Sequence, residues 1–212
     1  MKMEYIIDTD TTKVFVIRNW LTHKHAKELH DYFNNKVNWV TKQKNFKDKW
    51  VKMNRSISIY GDGTMDTYPY NKLPYTIDNW NNNMCVCKEI KTIKDKLYTT
   101  LTPYMIPLTT MNSCIINKYD NGFQKIDPHS DDETIPNTSV ITLSLGASRV
   151  FVFEHKVSKE IIKTMLHNGD VLIMSGQCQQ EYTHGLPSDK YVKESRISLT
   201  FRQIETDIQK IQ

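Results

Sequence analysis

The sequence predicts a β-rich α+β fold, in which short strands form a sandwich or barrel and N-terminal helices cover one face. Two observations predict this fold class. From about Met111 onward the chain consists of short β-rich runs that are separated by turn residues. Before that point, apolar residues recur at steps of three to four, the spacing of amphipathic helices. With 212 residues and no internal repeat, residues 1–212 are expected to form a single domain.

Two helices are expected in the first half of the chain. Thr22 can cap the first helix, with Leu29 and Phe33 facing the core. The second helix has a continuous apolar stripe and is broken by Pro103 and Pro107. The stripe consists of Val86, Ile90, Ile93, Leu97 and Leu101.

Five strands are expected in the second half. They comprise residues 114–117, 140–145, 150–153, 171–174 and 196–202. Turn residues separate or follow these runs, namely Gly122, Gly146, Asn168, Gly169 and Gly176. Many short strands with regular turns are typical of a sandwich or barrel.

Composition limits the class of protein. No apolar run approaches the roughly 18 residues that a membrane-spanning helix needs. The N-terminus lacks the apolar stretch of a signal peptide, and the four cysteines have no disulfide-framework or zinc-ribbon spacing. We therefore expect an intracellular protein with reduced thiols and no membrane partner. These features do not distinguish the nucleus from the cytoplasm.

Positive charge is concentrated between residues 36 and 55. This segment has seven basic residues against one acid, Asp48, while the whole chain has a net charge of only +4. Trp39, Phe46 and Trp50 are interleaved with the basic residues. Cations for phosphates beside flat rings for bases are typical of a nucleic-acid contact. The alternative is a solvated basic loop whose aromatic side chains lie in the core.

One group of residues has the spacing of a metal site. His129 and Asp131 are two apart, so in an extended chain both side chains point to the same side. His184 lies 53 residues beyond Asp131, after further predicted strands. Two histidines and one carboxylate, with open positions left on the metal, are the ligands of non-haem Fe(II) oxygenases. The alternative is a histidine that caps a turn beside a surface carboxylate.

The strand predicted at residues 196–202 has two different faces. Ile197, Leu199 and Phe201 alternate with four polar residues, so one face packs in the core. The polar face consists of Arg196, Ser198, Thr200 and Arg202. Burying two guanidinium groups is costly without an anion, and arginine forks bind carboxylates in a bidentate manner. We therefore expect a dicarboxylate ligand there, with an exposed polar strand face as the alternative.

These motifs together resemble the AlkB family of Fe(II)- and 2-oxoglutarate-dependent dioxygenases, most of all its animal branch for DNA and RNA alkylation repair. The resemblance covers roughly residues 50–204. It depends on the order and spacing of separate segments: 116–119, 129–133, 144–151, 169–174, His184 and 196–202. The implied fold is a double-stranded β-helix, or jelly roll. Residues 111–204 would form its core, and residues 1–110 would form a helical layer with a nucleotide-recognition lid.

The resemblance also implies a site and a reaction. His129, Asp131 and His184 would bind Fe(II), and Arg202 would pair with the carboxylate of 2-oxoglutarate near the metal. Further cosubstrate contacts would come from Asn117, Tyr119, Arg196, Ser198 and Thr200; some relatives have Asn at the position of Ser198. With O2, the enzyme would hydroxylate an N-methyl group of a base such as 1-methyladenine or 3-methylcytosine, which then loses formaldehyde, while 2-oxoglutarate becomes succinate and CO2.

Substrate contacts are implied by the same motifs. A base must leave the stack to reach the metal. Tyr70 would stack on it and Tyr68 would make a polar contact, unless both are half-buried residues of an edge strand. Asp132 and Glu133 would face the cationic part of the lesion.

Residues 46–50 resemble the finger hairpin of a duplex-preferring relative. In this chain Phe46 lies one position early and the glycine of the tip is absent. Phe46, Lys47 and Arg55 are the expected DNA contacts. We expect a monomer that acts on alkylated DNA or RNA. A related oxygenase acting on a protein or small molecule, and an inactive binding module, are the alternatives.

Overall fold

The computed structural model describes most of the chain, in the following ranges: 2–41, 43–46, 49–64, 67–70, 73–82, 84–104 and 111–205. For residues 43–46, 49–52, 67–70 and 73–75 it describes the backbone and not the side chains. The helices are α1 (His23–Lys36), α2 (Cys85–Leu101) and α3 (Cys178–Glu181), and a 3-10 turn follows α2 at Thr102–Tyr104.

Strands make up most of the described chain. The first half contains β1 (Lys2–Asp8), β2 (Thr12–Arg18), β3 (Gln43–Phe46), β4 (Lys49–Lys52), β5 (Ser56–Gly61), β6 (Thr67–Tyr70), β7 (Leu73–Thr76) and β8 (Asp78–Asn79). The second half contains β9 (Ser113–Tyr119), β10 (Ile126–His129), β11 (Val140–Gly146), β12 (Arg149–His155), β13 (Ile161–Leu166), β14 (Val171–Gly176), β15 (Tyr182–Leu186) and β16 (Arg196–Arg202).

Two sheets face each other. The major sheet has eight strands in the order β1-β2-β14-β11-β16-β9-β5-β8, and the minor sheet has four in the order β10-β15-β12-β13. The pairs are antiparallel except for β5 with β8. Apolar residues from both sheets form one core cluster between them, which includes Val14, Val140, Phe153 and Leu172. This arrangement of facing antiparallel sheets confirms the predicted jelly-roll fold.

The helices α1 and α2 cover the outer face of the major sheet. Thr22 caps α1, since its side chain accepts a hydrogen bond from the His25 backbone N–H at 3.3 Å. Leu29 and Phe33 are buried as expected, and all five residues of the predicted α2 stripe are buried. They pack with sheet residues such as Leu199 in one core cluster. None of the described helices is both long and apolar enough to cross a membrane.

The strand β16 separates these two cores. Its residues are all buried, because the alternating side chains point either to the helices or into the space between the sheets. Ile197, Leu199 and Phe201 belong to the helix-facing cluster. The four polar residues of β16 face the other way and line a pocket between the two sheets. The two-faced strand predicted from the sequence is confirmed.

The structure contains strands that the sequence analysis did not predict. Four strands from the first 110 residues, β1, β2, β5 and β8, belong to the major sheet, so this region contributes more than helices and a lid. In β2, Phe15 and Ile17 face the helices while Val14 and Val16 face the minor sheet. A strand buried on both faces has no polar alternation, which is why periodicity did not reveal it. Two separate hairpins, β3–β4 and β6–β7, complete this half.

Candidate active site

The pocket between the sheets brings together all nine residues that were predicted to bind the metal and the cosubstrate. Strands β9 and β16 of the major sheet form one wall, and β10 and β15 of the minor sheet form another. Of the predicted residues, the pocket is lined by His129, Asp131, His184, Asn117, Tyr119, Arg196, Ser198, Thr200, Arg202 and Arg55.

Strand pairing places the two histidines together. His129 ends β10 and is the register partner of His184 on β15, so their ring centroids lie 4.6 Å apart. Asp131 follows two residues later. Its Oδ1 lies 3.8 Å from His129 Nε2, and its Oδ2 lies 3.7 Å from His184 Nε2. One possible ligand atom from each of the three residues lies within 4.8 Å of the ligand atoms of the other two. We call these three residues the metal cluster.

This cluster fits a divalent metal ion. The side-chain distances are too long for hydrogen bonds between the three residues. Oδ2 of Asp131 is buried and has no hydrogen-bond partner in the described part of the chain, so a positive charge would compensate for its burial. Burial, together with the charges of His129 and Arg202, lowers the pKa of His184 well below its usual range. His184 is therefore neutral at neutral pH, the form that binds a metal.

Neighbouring groups hold two of these ligands in place. Nδ1 of His129 lies 2.9 Å from the carbonyl oxygen of Asp127. A carbonyl can only accept, so Nδ1 carries the proton and Nε2 presents its lone pair to the metal site. The backbone N–H of Asp131 donates to Oε1 of Gln179, on α3, at 2.9 Å. No sequence pattern indicated Gln179, which lies 48 residues from Asp131 and has no motif around it.

The two arginines of β16 have different partners. Arg196 is 2% exposed and donates from Nη2 to the Ser144 hydroxyl at 2.8 Å. Burial lowers its pKa to about 10, against a smaller opposite effect of Tyr119. In the described part of the chain, Arg196 forms no ion pair with a carboxylate, and its Nε has no hydrogen-bond partner. A buried cation in this state fits an anionic ligand.

Arg202 lies beside the metal ligands. Its Nη1 is 3.2 Å from Oδ1 of Asp131 and donates to Oε1 of Glu133 at 2.6 Å. The structure therefore places Glu133, which was expected to face the substrate, in an ion pair at the edge of the metal cluster. Asp132, the other expected acid, is exposed.

Arg55 belongs to this pocket as well. It is 7% exposed, and its Nε donates to Oδ1 of Asn117 at 2.7 Å. Arg55 was expected among the DNA contacts, whereas the structure buries it next to Asn117, a predicted cosubstrate residue.

The other predicted cosubstrate residues line the same wall of the pocket. The ring centre of Tyr119 lies 5.6 Å from the Arg196 guanidinium carbon. Ser198 and Thr200 complete the polar wall, and Thr200 accepts from Thr142 at 3.2 Å.

Three of the remaining predicted substrate contacts, Phe46, Tyr68 and Tyr70, lie on strands of the two small sheets. Phe46 is on β3 and is the register partner of Lys49 on the antiparallel strand β4. Lys47 lies outside the described residues. Tyr68 and Tyr70 lie on β6, paired with Tyr75 and Leu73 of β7. Only the backbone of these residues is described, so their substrate contacts stay predictions.

Replacing any one metal ligand should remove the metal. We expect His129→Ala, Asp131→Ala and His184→Ala each to weaken binding of Co(II), used in place of Fe(II), by more than the roughly 10–100-fold that loss of an outer-sphere partner costs. Titration followed by visible absorption measures this affinity. His167→Ala removes an exposed histidine outside the pocket and is the control. Undiminished Co(II) affinity in any of the three variants would contradict the ligand assignment.

Comparison with known proteins agrees with this geometry. The model of the 2OG-Fe(II) oxygenase superfamily matches residues 13–202. The DNA oxidative demethylase ALKBH2 of Mus musculus is 29% identical over 166 residues, which cover 74% of this chain and 64% of the mouse protein. Human ALKBH2 is 30% identical over 166 residues, covering 74% of this chain and 59% of the human protein.

A second group of relatives and a solved structure extend the comparison. The human alpha-ketoglutarate-dependent dioxygenase alkB homolog 3 is 35% identical over 109 residues, which cover 46% of this chain and 38% of that protein. The chain thus spans less than two thirds of the length of these curated relatives. The structure of OsALKBH1 superposes with a TM-score of 0.60 at 19% identity, covering 90% of this chain and 97% of the other. That likeness shows the fold.

The family match extends from β2 to the end of β16 and includes every residue of the metal cluster and of the polar wall. The family's cofactors, Fe(II) and 2-oxoglutarate, are those expected from the sequence. The donor set of the pocket fits both, because it combines an open cluster of two histidines and one carboxylate with a buried guanidinium. This chain belongs to the 2OG-Fe(II) oxygenase superfamily and is an AlkB-type member of it.

Proposed function

We propose that this protein removes methyl groups oxidatively from N-methylated bases of nucleic acid, of the 1-methyladenine and 3-methylcytosine type. The observation that carries the proposal is the placement of an open three-ligand metal cluster beside a buried guanidinium that has no carboxylate partner in the described part of the chain. A metal with free positions next to a site for a dicarboxylate is what a 2-oxoglutarate-dependent oxygenase needs.

In the proposed site His129, Asp131 and His184 hold the iron. Bound there, iron with 2-oxoglutarate and O2 supplies the oxidation that turns the N-methyl group into a hydroxymethyl group, which leaves as formaldehyde, while succinate and CO2 form. Arg196 binds one carboxylate of 2-oxoglutarate through its fork, and Arg202, which lies beside Asp131, pairs with the 2-oxoglutarate carboxylate near the metal. Asn117, Tyr119, Ser198 and Thr200 orient the cosubstrate by hydrogen bonds. The apolar Phe151 and Leu186, which also line the pocket, exclude water.

Nucleic acid as substrate is supported by two independent features. The names of the curated relatives include a DNA oxidative demethylase. The β3–β4 hairpin lies within the basic segment 36–55, where lysines alternate with aromatic residues and phosphates can be bound. An oxygenase acting on a protein or a small molecule would have no use for this segment.

Negative charge near the metal supports a cationic lesion. A base methylated at a ring nitrogen of this type carries positive charge, and carboxylates stabilise it electrostatically. Asp132 is exposed next to the metal ligand Asp131 and would face the cationic part of the lesion. The charge of Glu133 is paired with Arg202 at 2.6 Å, so its effect on the lesion would be weaker. Tyr70 would stack on the base and Tyr68 would contact its polar edge.

The direct test is formaldehyde release from methylated oligonucleotides. We expect the purified protein with Fe(II) and 2-oxoglutarate to release formaldehyde and form succinate with 1-methyladenine or 3-methylcytosine oligonucleotides, and Asp131→Ala to do neither. Single- and double-stranded DNA and RNA are compared in parallel. If succinate forms but none of these oligonucleotides releases formaldehyde, the protein is an oxygenase and the proposal that it demethylates nucleic acid is refuted.

The cosubstrate site has its own test. Arg196→Lys should raise the 2-oxoglutarate concentration at half-maximal succinate formation by roughly tenfold or more, because a charge-assisted hydrogen bond is worth about 1.5–3 kcal/mol and lysine lacks the fork. Arg18→Lys changes a partly buried arginine that pairs with Glu4 and Asp170 and does not line the pocket, so it is the matched control. If Arg196→Lys needs the same 2-oxoglutarate concentration as the unaltered protein, 2-oxoglutarate does not bind at Arg196.

The β3–β4 hairpin predicts a preference for double-stranded over single-stranded nucleic acid. Filling the hole left by a flipped base offsets part of the few kcal/mol that unstacking costs. We therefore expect Phe46→Ala to lower the demethylation rate several-fold more on double-stranded than on single-stranded substrate. Tyr5→Ala changes an exposed aromatic residue on β1, an edge strand of the major sheet that lies outside the pocket and the hairpin, and should change neither rate. Equal losses on both substrates would show that Phe46 does not act as a wedge.

A further inference from the structure

Arg149, the first residue of β12, is buried deeply and has an unusual set of partners. It is 1% exposed and forms no ion pair with a carboxylate in the described part of the chain. Instead its guanidinium donates to four backbone carbonyls. Nη1 reaches Asn121 at 3.4 Å, and Nη2 reaches Gly122 at 3.3 Å, Gln124 at 2.9 Å and Pro187 at 2.6 Å. Burial lowers the pKa of Arg149, so the site costs free energy that these hydrogen bonds must offset.

The four carbonyls belong to two loops, which we call the first loop (residues 120–125) and the second loop (residues 187–195). Backbone hydrogen bonds also join these loops. The Gly122 N–H donates to the Val192 carbonyl at 2.9 Å, and the Asp189 N–H donates to the Gly122 carbonyl at 2.7 Å. The contact is so close that a Cβ atom at Gly122 would lie 1.8 Å from the Asp189 oxygen. The two loops therefore form one unit, with the guanidinium of Arg149 inside it.

This unit lies directly at the strands that carry the metal-binding histidines. The first loop leads into β10, and the second loop follows β15. The register partners Ile126 and Leu186 stand at the loop end of this strand pair, and His129 and His184 form the next pair. An interaction that holds the two loops in place therefore also holds the loop end of the β10–β15 strand pair, to which both histidines belong.

The β10 strand needs such support, because its own pairing is irregular. From Ile126 to His129 the chain advances three residues, while the partner strand advances only two, from Leu186 to His184. The extra residue interrupts the ladder, and Pro128 has no N–H to contribute to it. A four-residue edge strand with this interruption is held weakly by its neighbour alone.

We propose that Arg149 is a positioning residue for the metal site, which sets the spacing of His129 and His184 by holding the two loops together. The guanidinium suits this role, because the two closest acceptors of Nη2, the carbonyls of Gln124 and Pro187, belong to different loops, and Nη1 reaches a third carbonyl at Asn121. Arg149 does not touch the metal ligands and acts through the backbone on either side of them. The inference concerns the metal site and holds for any substrate.

The test is Co(II) binding in the absence of 2-oxoglutarate and nucleic acid. Arg149→Met should weaken Co(II) affinity by about tenfold or more and change the visible absorption bands of bound Co(II), because the histidines lose their spacing. Arg149→Lys, which keeps the charge but lacks the fork, should have an intermediate affinity. Arg149→Lys also provides the test on its own if Arg149→Met does not fold.

The control separates positioning from a general loss of stability. Arg18→Met removes another partly buried guanidinium, which donates to Asp170 and to the Met165 carbonyl, outside the pocket. It should lower the midpoint of urea unfolding and leave Co(II) affinity and absorption unchanged. The proposal is overturned if Arg149→Lys binds Co(II) within twofold of the unaltered protein with the same spectrum. It is also overturned if Arg18→Met loses affinity equally.

These measurements are independent of the proposed function. If the unaltered protein releases no formaldehyde from any methylated oligonucleotide, the nucleic-acid substrate is refuted and the role of Arg149 is unaffected. If Co(II) binding does not respond to Arg149, the role of Arg149 is refuted and demethylation is unaffected.

Discussion

The alternation of side chains along β16 is the constraint on which the rest of this structure depends. Successive residues of a strand point to opposite faces, so when Ile197, Leu199 and Phe201 fill the core under the helices, the other four residues must enter the space between the sheets. The strand brings two guanidinium groups into that space, and each needs a compensating anion or acceptor. The chemistry of the pocket follows from this geometry.

The two guanidinium groups are compensated differently, and the difference assigns their roles. Arg202 lies against carboxylates of the protein, including the metal ligand Asp131, so it belongs to the electrostatics of the metal cluster. Arg196 has a hydroxyl partner in Ser144 and an aromatic neighbour in Tyr119, neither of which carries charge. A buried cation with only neutral partners is expensive to maintain unless a ligand completes it. One strand thus provides an ion pair with protein carboxylates at one end and, at the other, a buried guanidinium that we propose binds an external anion.

The sequence predicted the parts of the site whose geometry is local. The face of β16 follows from strict alternation along a strand. His129 and Asp131 were paired because they are two residues apart, although β10 ends at His129 and Asp131 follows it in irregular chain. The helix cap at Thr22 and the apolar stripe of α2 were also predictable, because each depends on residues that are close together in the sequence. Contacts between distant segments were not. Gln179 supports Asp131 from 48 residues away, and no local pattern indicates such a pair.

Arg149 and Glu133 illustrate the same limit. Arg149 stands in a recognisable motif, but its partners are backbone carbonyls, which any residue possesses and which leave no trace in the sequence. Glu133 was expected to face the substrate, and its ion pair with Arg202 depends on the path of the chain after Asp131. Strands such as β10 were hidden because Asp127-Pro128 is typical of a turn.

The interruption of β10 has a consequence for self-association. This strand lies at the edge of the minor sheet, and an edge strand offers unpaired backbone groups to which a second chain can add a strand. The extra residue between Ile126 and His129 disturbs the regular spacing that an added strand requires. The irregularity of β10 beside the metal cluster therefore also makes this edge of the pocket a poor template for β-strand addition.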